Sequence, residues 1–366
     1  MRTEPYRVVV WGPGVLGQAL IRHVIDKPEF ELIGVLAYNP SKEGADAGEL
    51  AGRPPVGVAA TTDAEAIFGL RPDVVFMCPQ TTAPVDVDSD VTAATCRWLA
   101  SGVDVVSAPA YHWPHMHEGL TERLEKACQD GGATLHSTGI NPGLLNERWL
   151  LGFTAIFTDI KRIIVQEIND NSNINSADMM TAIGYAQDPH GDEVLPTVMA
   201  LGERYYSETL YATCHALGVE IDEKISMDYD WIIADKDYQH AAVFVPKGTI
   251  NGVIHRYTAT VNGEPFMTLE EIFYGGEDAA PVEVSGGDNW TMLIEGQPTS
   301  LKVHLDMKAS ILDNQRFAPG DLTLPAYYAT SVPMLQAVPV VVDAPPGILW
   351  SSAFTSYKPD LRSLSR

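Results

Sequence analysis

Apolar positions in this chain follow two rhythms. Over the first 140 residues, short unbroken apolar runs alternate with stretches in which apolar residues recur every three or four positions. The runs predict buried strands and the spaced stretches predict amphipathic helices. The first run, Val8-Val9-Val10-Trp11, stops at Gly12-Pro13-Gly14-Val15-Leu16-Gly17. Leu16, Leu20 and Val24 then recur four apart, as on one buried helix face. Further strands are expected over 31–38, 56–60, 73–78, 103–107 and 133–136. A helix over 87–101 turns Val91, Ala94, Trp98 and Leu99 inward and stops at Gly102. Another opens at Pro114, carries Leu120, Leu124 and Cys128 on one face and ends at Gly131-Gly132. Strand and helix alternate six times, which predicts an α/β fold with a doubly wound parallel sheet of Rossmann type.

After Ser137 the rhythm changes. Thr138-Gly139-Ile140-Asn141-Pro142-Gly143 is a break, followed by a hydrophobic helix over 144–157. Residues 163–168 read as a strand, and 176–184 and 196–216 have helical character. Residues 241–274 then alternate with period two around a hairpin signal at Asn262-Gly263, and 290–307 repeat the pattern around Glu295-Gly296. This predicts a second, α+β domain containing an antiparallel sheet. The expected division is a dinucleotide-binding domain over 1–140, a substrate and dimerisation domain over 141–326, and an apolar segment over 327–366 that returns to the first domain. One face of an antiparallel sheet needs cover, so a homodimer through that sheet is expected.

The glycines are in G-x-G-x-x-G spacing between a strand signal and a helix signal, the context in which that spacing points to dinucleotide binding. Gly12 allows the sharp turn, Gly14 the close approach of a pyrophosphate, and Gly17 the packing of helix on strand. The first helical N–H groups, at Val15, Leu16 and Gly17, point at the phosphates. The competing reading is that the glycines only close a turn. NAD enzymes usually carry Asp or Glu at the end of the second strand, for the ribose 2′-hydroxyl. Here the strand closes with Tyr38-Asn39-Pro40-Ser41-Lys42, with no carboxylate before Glu43. Asn39 and Ser41 can donate hydrogen bonds and Lys42 supplies a point charge suited to a phosphate, so NADP(H) is favoured, with NAD possible.

Ligands of such sheets bind at the carboxyl ends of the strands. That puts Pro79-Gln80-Thr81 and the stretch from Ala108 to Trp113 at the rim. Tyr111 and His112 are candidates for the proton transfer that accompanies hydride transfer at a carbonyl or imine carbon. A histidine ahead of a helix N-terminus is biased to its neutral form. Trp113 walls the pocket, and His115 and His117 face water. The spacings of His112, His115 and His117 do not put all three on one helix face, so no metal is expected. His136 reads as a packed core histidine. Asn141, with Pro142, stands where the chain leaves the first domain; its amide either holds a nicotinamide carboxamide or caps a helix. Asn169, Asp170, Asn171 and Asn173 either line the substrate pocket or form a turn.

Composition narrows the partners. The chain has 366 residues, 45% hydrophobic and 20% charged, a size that suits two domains of a globular protein. A net charge of −24 argues against nucleic acid or an anionic membrane as partner. The cysteines Cys78, Cys96, Cys128 and Cys214 form no C-x-x-C pair and read as reduced thiols, which points to the cytoplasm. No membrane span or signal peptide is expected.

With these residues together, the chain resembles the dihydrodipicolinate-reductase-like superfamily, and within it the 2,4-diaminopentanoate dehydrogenases and native amine dehydrogenases. The resemblance rests on Val10-Trp11-Gly12-Pro13-Gly14; on Tyr38-Asn39-Pro40-Ser41-Lys42 with Gly44 and Asp46-Ala47-Gly48; and on Thr138 to Gly143. Ser176-Ala177-Asp178-Met179-Met180 and the stretch from Ala337 to Gly347 complete it. It implies NAD(P)-dependent interconversion of an amine with a ketone or aldehyde and ammonia. Two departures stand out. The His-His pair and Ser-Gly-Thr element of the lysine-pathway reductase are absent, which argues against reduction of dihydrodipicolinate. The acidic residue that the amine dehydrogenases place after the fifth strand is also absent, since that stretch is Ala108-Pro109-Ala110-Tyr111-His112. Two alternatives stay open: an imine or ketone reductase of the same fold, or a dihydrodipicolinate-reductase-like protein, and a non-enzymatic NADP-binding sensor.

Overall fold

The computed structural model describes residues 4–79, 85–174, 176–191, 206–281, 289–308 and 323–350. The chain divides into two compact units, Met1–Trp149 with Gln315–Ser352, and Leu150–Asn314 with Ala353–Arg366.

In the first unit, strands β1 (Tyr6–Trp11), β2 (Phe30–Leu36), β3 (Ala60–Thr61), β4 (Val74–Met77), β5 (Asp104–Ser107) and β6 (Thr134–Ser137) form a parallel sheet with β15 (Gly347–Ile348). The order is β15-β6-β5-β4-β1-β2-β3, so the winding reverses between β1 and β4. Helices α1 (Val15–Asp26), α2 (Ala47–Leu50), α3 (Ala64–Phe68), α4 (Asp90–Ala100) and α5 (Leu120–Gly131) connect the strands. Both faces of β1 are covered. Val8 and Val10 pack in one core with Leu20, Ile21 and Val24 of α1 and with Met334, Leu335, Val338 and Val341 of the closing helix Pro325–Asp343. Val9 and Trp11 pack in the other with Trp98, Leu99, Leu120 and Leu124. Strands buried on both sides read as continuous apolar runs, which is why β1 and β4 show no alternation. Each such Val or Leu contributes roughly 1.5–3 kcal/mol of burial.

Several boundaries differ from expectation. The third strand is only Ala60–Thr61, so of the edge predicted over 56–60 it keeps Ala60 alone. The Asp46 carboxylate accepts from the backbone N–H groups of Val56 and Gly57, and Gly57 has φ +78, so the chain turns there. Helix α4 starts late because Ser89 caps it, accepting from the N–H of Thr92. Pro114 opens only a 3-10 turn, Pro114–Met116; α5 begins after Gly119, which has φ +75. The helix expected over 144–157 starts sooner, as wide π-type turns over Ile140–Leu150, then α6 (Leu151–Phe153) and a 3-10 turn, Thr154–Ile156.

The second unit is built on β7 (Asp159–Asp170), β8 (Ser226–Ile233), β11 (Ile250–Val261), β12 (Glu264–Tyr274), β13 (Asn289–Gln297) and β14 (Leu301–Asp306), in the order β14-β13-β7-β12-β11-β8. Helix α7 (Ala177–Ala182), a helix α8 over 206–216, and the short pair β9 (Tyr238–Gln239) and β10 (Phe244–Val245) complete it. The sheet is mixed rather than antiparallel, because β12 runs parallel to β7. The β11–β12 hairpin turns at Asn262 (φ +54) and Gly263 (φ +81), as a two-residue loop of this composition requires. The second turn does not fall at Glu295-Gly296. There β13 shifts register, and a Cβ on Gly296 would stand 2.2 Å from the Asp159 carbonyl oxygen, so this glycine marks a close strand contact. The strand runs on to Gln297. Of the helix expected over 196–216, residues 196–205 lie outside the described residues, as do Gln80 and Thr81.

Candidate functional site

The bend after β1 has the geometry of an anion cradle. Gly12 has φ +97, and a Cβ there would meet the Cys78 carbonyl oxygen at 2.6 Å. A Cβ on Gly17 would stand 2.2 Å from the Gly12 carbonyl oxygen, so α1 lies against the bend too closely for any side chain. A Cβ on Gly14 would meet nothing within 4 Å, so the backbone between these two tight points borders open space. Helix α1 starts at Val15 with no side-chain cap and no acidic residue in its first turn. The N–H groups of Val15, Leu16 and Gly17 have no partner within the helix and face that space with the positive end of the dipole. The bend stands at the point where the strand order reverses, between β1 and β4, where such sheets take their ligand. These residues fit a dinucleotide pyrophosphate.

Beside the bend, the carboxyl end of β2 gathers polar groups. The Trp11 indole N–H donates to the Tyr38 hydroxyl at 2.7 Å. Asn39 uses its side-chain carbonyl on the Ser41 N–H at 2.9 Å, leaving its amide NH2 as a donor on an exposed turn. The Lys42 ammonium donates to the Pro13 carbonyl inside the glycine bend. Glu43, the nearest carboxylate, accepts from Thr61 and from Thr62, and these hydrogen bonds hold its carboxyl below the usual range. A cation, not a carboxylate, therefore stands at the bend.

The rim after β5 is stitched from below. The hydroxyls of Ser107 and Ser137 both donate to the Ala110 carbonyl, at 2.9 and 2.8 Å. His112 is buried, and its Nε2–H donates to the Ala108 carbonyl at 3.0 Å, which makes Nδ1 the acceptor nitrogen. Burial pushes its imidazole down to about 4, so it is neutral near pH 7. The cause is desolvation and not a helix N-terminus, since only a 3-10 turn follows it. Tyr111 has φ +71, and its ring turns into the core, where its hydroxyl is 3.1 Å from that of Thr92 and 3.3 Å from that of Thr95. That placement gives Tyr111 a packing role under the rim. Trp113 is half-buried, 5.3 Å from Trp350 between ring centroids, and His115 stacks on Trp350 at 5.5 Å. His136 is buried, its Nδ1 donating to the Leu349 carbonyl at 2.8 Å.

After β6, Asn141 accepts from the buried Asn146 amide at 2.7 Å, and Pro142 is buried behind it. A Cβ on Gly143 would stand 2.5 Å from the Thr138 hydroxyl, which fixes the Asn141 turn against the strand end. The polar residues at the end of β7 belong to the second unit: Asn169 and Asp170 are the last two of the strand, and Asn171 and Asn173 lie in the 3-10 turn that follows. Asp170 accepts from the N–H groups of Ser172 and Gly276, Asn169 donates to Glu167, Asn171 is buried, and Asn173 is the exposed last residue of the turn. Among the described residues, no group of three or more His, Cys, Asp or Glu could hold a metal ion. No helix of the described residues is long and apolar enough to cross a membrane.

Sequence reasoning passed over Tyr38, Ser137 and Glu147. Tyr38 is exposed at the mouth of the bend although it closes an apolar strand. Glu147 is a buried carboxylate one helical turn beyond Gly143; its signal was an acidic residue inside an apolar helix.

The fold and the bend define a two-unit, dinucleotide-binding architecture, and comparison with known proteins agrees. Residues 6–83 match the family model of the dihydrodipicolinate reductase N-terminus. The chain is 29% identical to an amine dehydrogenase of Streptomyces virginiae over 93% of both chains. It is 21% identical to the 2,4-diaminopentanoate dehydrogenase of Acetoanaerobium sticklandii, covering 94% of this chain and 92% of that one. The structure of an amine dehydrogenase from Mycobacterium smegmatis superposes with a TM-score of 0.66 at 20% identity, over 94% of each chain, which shows a shared fold. The chain is an oxidoreductase of the dehydrogenase type.

Proposed function

We propose that the protein is an NADP-dependent oxidoreductase of amine-dehydrogenase type. It joins a small ketone or aldehyde to ammonia under reduction and, in reverse, deaminates an amine oxidatively. The observation that carries this reading is the glycine bend of β1 and α1, in a chain similar from end to end to an amine dehydrogenase. Gly12, Gly14, Val15, Leu16 and Gly17 hold the pyrophosphate. Asn39, Ser41 and Lys42 hold the ribose 2′-phosphate, and Pro79, Ala108, Asn141 and Pro142 border the nicotinamide, with Gln80 and Thr81 assigned there from sequence. Lys42 beside the bend, with Glu43 engaged by threonines, supports NADP over NAD. Bound NADPH supplies the hydride. His112, kept neutral by burial and with Nδ1 as acceptor, takes or returns the proton that accompanies it. Trp113 lines the substrate side. We also propose a cytoplasmic homodimer formed through the six-stranded sheet.

A second reading, reduction of a preformed imine or a ketone, is favoured by the absence of a carboxylate between Ala108 and His112. One experiment separates the two. NADPH oxidation is followed with a panel of small ketones and aldehydes, with and without ammonium. Amine-dehydrogenase activity requires ammonium and yields the primary amine; turnover equal in its absence supports the second reading. No turnover with any carbonyl, alongside tight NADPH binding, overturns both and leaves a sensor.

A further inference from the structure

One face of the six-stranded sheet buries an ionisable row. Hydrogen-bonded register sets Leu305, Trp290, Glu167, Glu271, His255 and Tyr229 side by side across β14, β13, β7, β12, β11 and β8. Residues paired in this way point to the same face. On three of the strands the neighbouring positions are apolar and buried: Met267 and Leu269 on β12, Val253 and Tyr257 on β11, Met292 and Ile294 on β13; on β7, Asn169 stands beside Glu167 and donates to it at 3.1 Å. Helix α8 reaches this face through Tyr206, which stacks on Tyr257 with ring centroids 4.9 Å apart.

Along the row itself, three polar atoms have no hydrogen-bond partner among the described residues: Oε1 of Glu271, Nε2 of His255 and Nε1 of Trp290. Glu271 is 3% exposed, His255 8% and Trp290 0%. The other Glu271 oxygen is 3.6 Å from His255 Nδ1, beyond hydrogen-bond reach. Buried polar groups in folded proteins are almost always paired, so three such atoms on one row mark a place built for something else to bind. These residues make no metal-ligand group among the described residues. A compact cation with several N–H donors matches the two acceptors among them, Glu271 Oε1 and His255 Nε2, whereas the Trp290 indole N–H is itself a donor and plays no part in holding it.

We propose that Glu271 and Glu167, flanked by His255, bind a primary ammonium group, that of the substrate amine. This rests on the amine-dehydrogenase reading for the identity of the ligand. Burial, with Glu167 alongside, raises the Glu271 carboxyl well above its ordinary range, which favours its acid form in the absence of a ligand. Burial pushes His255 down to about 4, so it adds no charge. When R–NH3+ arrives, the Glu271 carboxylic acid becomes a carboxylate and its proton leaves to solvent; no bond to carbon changes. The titratable groups facing Glu271 are Glu167 from β7, His255 and Tyr257 from β11, and Tyr229 from β8. Helix α8 also carries the buried Glu208.

The test uses the full chain and propylammonium chloride as probe, with sodium chloride at equal ionic strength as control. Calorimetry near neutral pH in two buffers of different ionisation enthalpy should show saturable binding with release of about one proton per site. In Glu271→Gln, proton release disappears and affinity falls about tenfold or more; Glu271→Asp restores part of both. Infrared difference spectra of the wild type, which need no variant to fold, should show loss of a carboxylic-acid band on addition of the probe. No saturable binding by the wild type, or unchanged proton release in folded Glu271→Gln, overturns the assignment. The two proposals fail separately. An amine KM unchanged in Glu271→Gln removes this site and leaves the activity, whereas propylammonium binding without NADP-linked amine oxidation removes the activity and leaves the site.

Discussion

The two sheets carry their polar chemistry in different places. The seven-stranded parallel sheet is covered by helices on both faces, and its central strands β1 and β4 carry unbroken apolar runs, Val8 to Trp11 and Val74 to Met77. Its candidate functional groups therefore stand beyond the carboxyl tips: the glycine bend, Lys42, the Ser107–Ala110–Ser137 stitching and His112. The six-stranded mixed sheet alternates, with one face of buried side chains and another where Arg256 bridges Asp228, Asp230 and Glu270. Such a sheet can seat Glu271, Glu167 and His255 in mid-strand. The difference teaches where to look. In a doubly wound sheet, backbone geometry at the tips makes the site, whereas in a mixed sheet a polar side chain interrupting an apolar file makes it.

Perturbing the tips should cost most. Gly17→Ala drives a methyl into the Gly12 carbonyl, and NADPH affinity should fall by about a hundredfold or more, measured by fluorescence titration. Near-normal affinity would show that the bend has more slack than its contacts allow. His112→Asn should lower kcat about a hundredfold while leaving the cofactor Kd unchanged.

His112 also ties acid stability to the rim. Its folded pKa of about 4 lies below the ordinary 6.5, so between those values the unfolded chain binds more protons. The stabilisation is complete above about pH 6.5 and lost as pH falls towards 4. Chemical denaturation across that window should show about 2 kcal/mol more loss in wild type than in His112→Asn. Lys42→Ala should raise the KM for NADPH about tenfold and leave that for NADH nearly unchanged. The smallest effect belongs to the β11–β12 turn. A methyl on Gly263 meets nothing within 4 Å, so Gly263→Ala reports the cost of φ +81 alone, about 1 kcal/mol by thermal unfolding, with activity intact.

What could be read from the sequence was what local chemistry decides. The run Val8 to Trp11, the glycines and the Leu16-Leu20-Val24 stripe lie within a single strand–turn–helix, and the structure has all three there. Asn262-Gly263 is as local, and the turn lies there. The non-local features were hidden. That Asp46 bends the chain at Val56 and Gly57, or that Tyr111 turns inward to Thr92 and Thr95, depends on residues 10 to 19 positions away. The Glu271 row needs five strand pairings to assemble. Its trace in the sequence is the file Met267-Leu269-Glu271-Phe273, where a carboxylate takes an apolar place, matched by His255 between Val253 and Tyr257.

The central claim is that the glycine bend presents a reduced dinucleotide to an amine-forming carbon. The most direct measurement follows deuterium from NADPH labelled at the nicotinamide C4 into product, with a small ketone and ammonium present, read by mass spectrometry. The account predicts a primary amine carrying one deuterium on its former carbonyl carbon. Deuterium found only in the alcohol, or in no product at all, contradicts it.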